Sequence, residues 1–430
     1  MTEQQGAVEE GATPGENTPG ETGEIDWDWN STLYSRTDER GVIQQLNPEF
    51  LRVSQWEEQD LIGSPHRVIR HPDMPRGLFY LVWQKLMEGK PVVAFVKNQA
   101  KQGGYYWAMA LAMPCDDGFL SVRFRPQGEL FATVQTLYAE LLEYEKRDGK
   151  NPERSCRYLL ERLGELGYET FEAFMSTVLF EELRLRDARL ESDLLAYRGI
   201  FDGMLEEVDR ASELARRMSL GFQKIRGEPI NMRILAGRLD GSGAAISSIS
   251  QNYESMATEM WDELGQIGSF ENNTLFKMRK SFHEARMSLL ITDMIQEASQ
   301  QLGGVGADVE GDGPQGDFEL LQLKKLTERS RREAAVKIGK IVDCCNDLPG
   351  TFRRLRRRIN GLDVVKLFCR VESGRVKSMD AGLDGIIDRL DRFHSDIDGQ
   401  LSELTNSSQT LSHLGHSLLK NSPATRRAPM

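Results

Sequence analysis

The chain has 430 residues, enough for two or three domains, and 39% of them are hydrophobic, so a sizeable core can form. A formal net charge of −12 argues against a general affinity for nucleic acid or for an anionic membrane surface. The five cysteines include no CxxC pair and fit neither a disulfide framework nor a zinc site. Because no apolar run reaches membrane length and no secretory signal opens the chain, we expect a cytoplasmic protein without a membrane span.

Residues 1–30 are predicted to be a disordered acidic tail, rich in Glu, Gly, Thr and Pro. The tail ends in the segment IDWDW, residues 25–29. Its two tryptophans could form a docking motif or pack back onto the domain that follows.

A corner of the sequence RHPDMP, residues 70–75, organises the next segment, 31–127. Two prolines fix the backbone there, so the polar side chains of this corner are held in direction, as is needed around a bound molecule. Alternating apolar residues near 33–46, 92–98, 105–113 and 118–125 predict strands. The Gly103-Gly104 pair predicts a hairpin turn.

Several motifs surround this corner in a characteristic order: NPEF at 47–50, IGSPHRVIRHPDMP at 62–75, VKN at 96–98, YW at 106–107 and SVR at 121–123. With these motifs, residues 33–127 resemble the PAS domain of bacterial aerotaxis receptors. The resemblance implies a five-stranded antiparallel sheet with short helices over one face. It also implies that the domain senses oxygen or redox state through a noncovalently bound flavin, FAD.

The same resemblance implies cofactor-contact roles for seven residues. These are Arg70, His71, Asp73, Trp83, Asn98, Trp107 and Asn47. The tryptophans can border an aromatic ring system, the arginine can pair with a phosphate, and an asparagine can bind the polar edge of a ring. Without a cofactor, Trp83 would be a core residue and Arg70 would pair with Asp73. Heme is the alternative cofactor, with His66 or His71 as an available ligand.

Residues 128–152 are predicted to form an exit helix and a linker. Apolar residues recur there at heptad spacing: Leu130, Val134, Leu137, Leu141 and Tyr144. This seam could mediate dimerisation or pack against the sheet of its own domain.

The remaining chain is predicted to be mainly α-helical, with coiled-coil or helical-hairpin segments. Residues 153–301 include a first hairpin over 190–268 with its tip between 227 and 243. A glycine- and acid-rich flexible linker follows at 302–317, then a second hairpin at 318–420 and a disordered tail at 421–430. Pro349-Gly350 is predicted to kink or divide the second hairpin's first arm.

Both hairpin tips resemble, in outline only, a degenerate chemoreceptor signalling tip, at residues 231–241 and 367–374. We therefore predict a soluble sensory protein that relays redox state or oxygen level through helical hairpins. Its expected partners are a second copy in a homodimer and a signalling protein, such as the chemotaxis kinase, its coupling protein or another receptor. The alternative is a cofactor-free PAS scaffold. No enzymatic activity is predicted, although His283 leaves a degenerate histidine kinase as a rival interpretation.

Overall fold

A computed structural model of the protein describes residues 23–190, 195–237, 243–269, 272–305, 314–375 and 381–422. The chain divides into two units, each discontinuous in sequence. Unit 1 comprises Met1–Leu195 and Arg286–Glu333, and unit 2 comprises Ala196–Ala285 and Ala334–Met430. The boundaries predicted at residues 153 and 318 do not coincide with this division, because parts of two long helices pack with the N-terminal domain. The predicted disordered tails lie largely outside the described residues, which begin at 23 and end at 422.

Unit 1 is built on a five-stranded antiparallel sheet in the order β2-β1-β5-β4-β3. Its strands are β1 (Leu33–Thr37), β2 (Ile43–Leu46), β3 (Val92–Gln99), β4 (Tyr105–Cys115) and β5 (Gly118–Phe124). The β4–β5 turn depends on Gly118, where φ is +147° and a Cβ would lie 2.0 Å from the Thr37 carbonyl oxygen. The sheet and its flanking helices confirm the predicted fold class.

The inner face of the sheet is covered by short helices. They are α1 (Pro48–Ser54), α2 (Glu58–Leu61), a 3-10 helix (His66–Ile69) and α3 (Arg76–Met87). The end of the N-terminal segment packs here too: Trp27 is buried in a cluster with Phe50 and Tyr106, and the Ile25 amide donates to the Tyr105 carbonyl over 2.7 Å. The structure thus places the first tryptophan of IDWDW in the core of its own domain.

The outer face of the sheet is covered by longer helices. They are α4 (Glu129–Arg147), α5 (Pro152–Glu165) and α6 (Phe171–Arg189), with the end of α10 (Thr274–Val305) and the start of α11 (Pro314–Arg375). The α4 seam is buried at Val134, Leu137 and Leu141, and the Tyr138 hydroxyl donates to the Phe95 carbonyl over 3.1 Å. In the structure α4 packs on the sheet of its own domain, which is one of the two interpretations of this seam.

Unit 2 consists, in its described residues, of helices joined by short turns. It contains α7 (Leu195–Ile225), α8 (Glu228–Ala236), α9 (Gly243–Leu264), a short π-helical turn (Gly265–Ser269), α12 (Ala381–Asn421) and the remaining parts of α10 and α11. A buried hydrogen-bond chain joins three of these helices, because His394 on α12 contacts Tyr253 on α9 and Asp363 on α11 over 2.8 and 2.5 Å.

Helix α11 continues through Pro349 without a break, so the predicted division of this arm does not occur. Residues 302–305 and 314–317 of the predicted linker belong to helices, whereas 306–313 lie outside the described residues. The parts of the two hairpin tips at 238–242 and 376–380 also lie outside them. No helix in the described part of the chain is both long and apolar enough to cross a membrane.

Candidate functional site

A cavity of about 490 Å³ lies between the inner face of the sheet and helix α3. Side chains alternate between the two faces of a strand, and the floor of the cavity is made by alternate residues of β3 and β4. Three of these floor residues are alanines, Ala94, Ala110 and Ala112, and Ala94 and Ala110 are direct partners in the β3–β4 ladder. Space for a ligand is left because the side chains at these facing positions are small.

Arg123 on β5 is the main polar group in the wall of this cavity, and it is only 3% exposed. Its Nη1 donates to the Ser35 hydroxyl over 3.0 Å and its Nη2 lies 2.7 Å from His66 Nε2, while its Nε has no hydrogen-bond partner among the described residues. Among the described residues no carboxylate forms an ion pair with it. Burial lowers the pKa of Arg123 to about 10, so the group still carries its charge near neutral pH.

His66, at the start of the 3-10 helix, completes this polar cluster. Burial, and secondarily the Arg123 cation, lower the pKa of His66 to about 3. The imidazole is therefore neutral at physiological pH, and its Nε2 accepts the hydrogen bond from Arg123. A neutral acceptor satisfies one donor of the guanidinium without cancelling its charge.

Asn98 on β3 is a second buried polar group at the cavity. It is 5% exposed, and its side chain interacts with the hydroxyl of Tyr106, the residue opposite it in the β3–β4 ladder. Because an amide has two N–H donors and one acceptor, the Asn98 side chain can bind Tyr106 and a ligand at the same time.

The mouth of the cavity opens into a groove of about 1040 Å³ on the surface. Arg67, Arg70, Phe79 and Trp83 line both spaces. The Arg70 guanidinium lies 3.7 Å above the centre of the Phe79 ring, and its Nη2 donates to the carbonyls of Met74 and Pro75 over 2.9 and 3.2 Å. Burial lowers the pKa of Arg70 to about 10, so it too stays charged.

Positive charge predominates around the outer groove. Besides the two arginines at the mouth, it is lined by Arg76, Lys146 and Lys150, and Glu145 is its only carboxylate among the described residues. Glu145 is engaged in the protein, accepting from the Gly77 amide and the Ser155 hydroxyl over 3.0 and 2.7 Å. This arrangement suits a ligand that has a planar or apolar part inside the cavity and an anionic part outside.

The comparisons with known proteins concern this same domain. The chain is 37% identical over 143 residues to the aerotaxis receptor of Escherichia coli (strain K12), a match that covers 32% of this chain and 27% of the receptor. It is 30% identical over 100 residues to the nitrogen fixation regulatory protein of Klebsiella pneumoniae, covering 23% of this chain and 19% of that protein. The chain thus matches no more than about a quarter of the length of these relatives. No protein-family model matches it.

The N-terminal domain is a PAS domain like that of the aerotaxis receptor. Among solved structures, one similar to this chain is the light state of the Aureochrome1 LOV domain, a blue-light photoreceptor. It has 13% sequence identity and a TM-score of 0.22, and the alignment covers 26% of this chain and 91% of that one.

The PAS cavity brings together three of the seven residues predicted to contact a cofactor. Arg70, Trp83 and Asn98 line it. His71 lies in the outer groove, where its Nδ1 accepts from the Asp73 amide over 3.1 Å. The Asp73 carboxylate pairs instead with Lys97 over 2.7 Å and lies outside both spaces, so the alternative pairing of Asp73 with Arg70 does not form.

Two predicted residues of the PAS domain lie away from the cavity. Trp107 is on the outer face of the sheet. The centre of its ring lies 5.2 Å from that of Phe131 and 6.3 Å from that of Tyr138, both on α4. Asn47 caps α1: its Oδ1 accepts from the Phe50 and Tyr34 amides and its Nδ2 donates to the Thr32 carbonyl. The structure does not bring either side chain to the site.

Conversely, the cavity wall contains residues that were not singled out as flavin contacts: Ser35, Phe79 and Arg123, with His66 considered only as a heme ligand. A charged residue between apolar ones in the predicted strand FLSVRF, residues 119–124, was the available signal for Arg123. Its partners, Ser35 and His66, come from two separate segments and could be identified only once the sheet order was known.

Proposed function

We propose that the protein is a sensory signal-transduction protein whose PAS cavity binds a flavin and responds to its redox state. The observation that carries this proposal is the buried Arg123, which lines a cavity of about 490 Å³ and has no carboxylate partner in the described part of the chain. A buried charge without a counterion is costly. A ligand with anionic or strongly polar acceptors would offset that cost.

The lining residues fit a flavin. The alanine floor leaves room for a flat ring, and the rings of Phe79 and Trp83 can border it. Arg123 and the Asn98 amide would face the polar edge of the ring, and the cations of the outer groove would face phosphates. A bound flavin supplies reversible electron transfer, and the protein residues supply binding, orientation and electrostatics.

The two curated relatives support the proposal at the level of function. Their names describe an aerotaxis receptor and a nitrogen fixation regulatory protein. The proposal assigns no catalytic role to this chain. It assigns to the helical region the transmission of the signal to a partner protein, with the chemotaxis kinase or its coupling protein as candidates.

The test is the visible absorbance of the full-length protein purified with and without oxygen. We expect the two-band absorbance of oxidised flavin, loss of those bands on reduction with dithionite, and FAD in the supernatant after denaturation. A Soret band would identify heme instead. A colourless protein that releases no flavin would overturn the proposal and favour the cofactor-free scaffold.

A pair of matched variants tests the residue on which the proposal rests. Arg123→Met should lower the flavin content of the purified protein by roughly tenfold or more, because it removes a charged hydrogen-bond donor worth about 1.5–3 kcal/mol. Arg125→Met, two positions along the same segment, should retain the flavin, because Arg125 contacts Trp27, Trp29 and Asp26 outside the cavity. Equal flavin content in the two variants would contradict the assignment of Arg123.

A further inference from the structure

Strand β1 has the cavity on one side and helix α11 on the other. Its Ser35 side chain points into the cavity and accepts the hydrogen bond from Arg123. Tyr34 and Arg36, the neighbours of Ser35, point to the outer face, because side chains alternate along a strand. One three-residue segment therefore contacts both the candidate ligand site and a helix from much later in the chain.

Glu319 on α11 is the residue that this outer face contacts. Its Oε1 accepts from Arg36 Nε over 2.8 Å, and its other carboxylate oxygen accepts from the Tyr34 hydroxyl. Tyr34 is 0%, Glu319 2% and Arg36 8% exposed. We call Tyr34, Arg36 and Glu319 the β1 clasp. Arg36 also pairs with the half-exposed Asp117 over 3.3 Å, so within the described residues Glu319 is its buried carboxylate partner and Asp117 its exposed one. The buried pair tolerates little displacement, since separating it leaves Arg36 with the exposed carboxylate alone.

Polar contacts beside the clasp hold helix α10 against the same edge of the domain. Gln301 Oε1 accepts from the amide and the hydroxyl of Thr32 over 3.1 and 2.5 Å, and its Nε2 donates to the Asn30 carbonyl over 2.7 Å. Glu297 pairs with Arg186, which also donates to the Trp29 carbonyl over 3.0 Å. These contacts are concentrated on residues 29–36, the segment that contains β1.

We propose that the outer face of β1 is the output surface of the PAS domain and that its occupant is this chain's own helix pair, residues 286–305 and 314–333. The inference rests on the proposed function, which supplies a change of charge in the cavity. Arg123 responds to that change, because it is the buried cation in the wall and has a neutral imidazole and a hydroxyl as its partners. When Arg123 strengthens or weakens its bond to Ser35, β1 shifts, and the clasp on its other face is tightened or loosened.

A discrete switch follows from the nature of the clasp. A buried ion pair is either well formed or broken, so a small movement of β1 is converted into docking or release of the first turns of α11. The docked and the released states must bind the ligand with different free energies. By linkage, the ligand then changes the free energy of docking of the helix pair by the same amount. The change in docking is therefore expected in residues 314–333.

Hydrogen exchange of the full-length, flavin-loaded protein, oxidised and then reduced with dithionite, tests the inference. We expect exchange in peptides from 314–333 to differ between the two states by roughly fivefold or more, as is typical of coupled sites. In Glu319→Gln that difference should be lost and exchange should be fast in both states. Glu328→Gln is the matched control, because among the described residues Glu328 pairs only with Arg332 of its own helix, and it is half exposed. It should behave as the wild type.

The outcomes separate the two proposals. Absence of flavin overturns both. A bound, reducible flavin with unchanged exchange over 314–333, or a redox difference that persists in Glu319→Gln, overturns the β1 clasp alone. If Glu319→Gln does not fold, Tyr34→Phe takes its place, since it removes one hydrogen bond and leaves the ion pair. Tyr34→Phe should reduce the redox difference several-fold, and an unchanged difference would overturn the inference.

Discussion

His66 and Arg123 share one hydrogen bond in the wall of the PAS cavity, and this makes the stability of the domain depend on pH. The pKa of His66 is lowered from 6.5 to about 3, so the folded protein binds fewer protons at this site than the unfolded chain does. The stabilisation from the neutral imidazole is fully present above pH 6.5 and is lost as the pH falls towards 3.

We therefore expect the free energy of unfolding to decrease by about 1–2 kcal/mol between pH 6.5 and pH 5 because of His66. Urea denaturation at several pH values, followed by circular dichroism, measures the decrease. His66→Gln keeps a neutral hydrogen-bonding side chain and should lack this component. If the wild type and His66→Gln show the same slope of stability against pH, the imidazole is not buried in its neutral form.

The two tryptophans predicted to contact the cofactor, Trp83 and Trp107, should respond differently to mutation. Trp107 is 7% exposed and packs against α4, so Trp107→Ala should cost about 3–5 kcal/mol of stability. Trp83 is 37% exposed and lines the cavity mouth, so Trp83→Ala should cost only about 1–2 kcal/mol but lower the flavin content. Denaturation midpoints and flavin content of both variants give the comparison. A larger stability loss for Trp83→Ala would reverse this assignment.

At the residue scale, sequence reasoning found the rigid corner and three of the cavity residues. The RHPDMP corner was accessible because two prolines and their neighbours act locally, and the structure ties it to β3 through the His71 amide, which donates to the Lys97 carbonyl over 3.1 Å. The sequence does not show on which face of β4 Trp107 lies. A strand that is buried on both faces has no polar face that would set its orientation.

Helix α4 shows how far an element can be predicted. A heptad seam of five residues spans too few turns to separate the 3.5 period of a coiled coil from the 3.6 period of a single helix. The sequence is therefore enough to predict the helix and its apolar face. Only the tertiary structure shows what this face packs against, which is the outer face of the sheet.

This placement of α4 predicts the effect of a charge in its seam. Leu141 is fully buried, so Leu141→Glu should unfold or strongly destabilise unit 1 rather than convert a folded dimer into a folded monomer. Ala139→Glu adds the same charge on the exposed face of α4 and is the control. Thermal unfolding and sedimentation velocity distinguish the results. A folded, flavin-binding monomeric Leu141→Glu variant from a dimeric wild type would show that the seam is a dimer interface.

At the scale of the whole molecule, sequence reasoning correctly assigned a PAS domain followed by a mainly helical region. It did not find the division into units, because periodicity reports the buried face of a helix and not what covers it. Residues 286–301 and 318–333 carry ordinary helical patterns, yet they belong with the N-terminal domain. The contacts that place them there, such as Arg36 with Glu319, join residues 283 positions apart.

The discontinuity of unit 1 has a consequence for how the protein is made. Ninety residues of unit 2, 196–285, are synthesised between the two parts of unit 1, which takes on the order of ten seconds at bacterial or eukaryotic translation rates. Through that interval the nascent PAS sheet holds Arg36 without its carboxylate partner on α11. A fragment that stops at Leu195 would remain permanently in that condition, so the earliest-translated domain is among the last to mature.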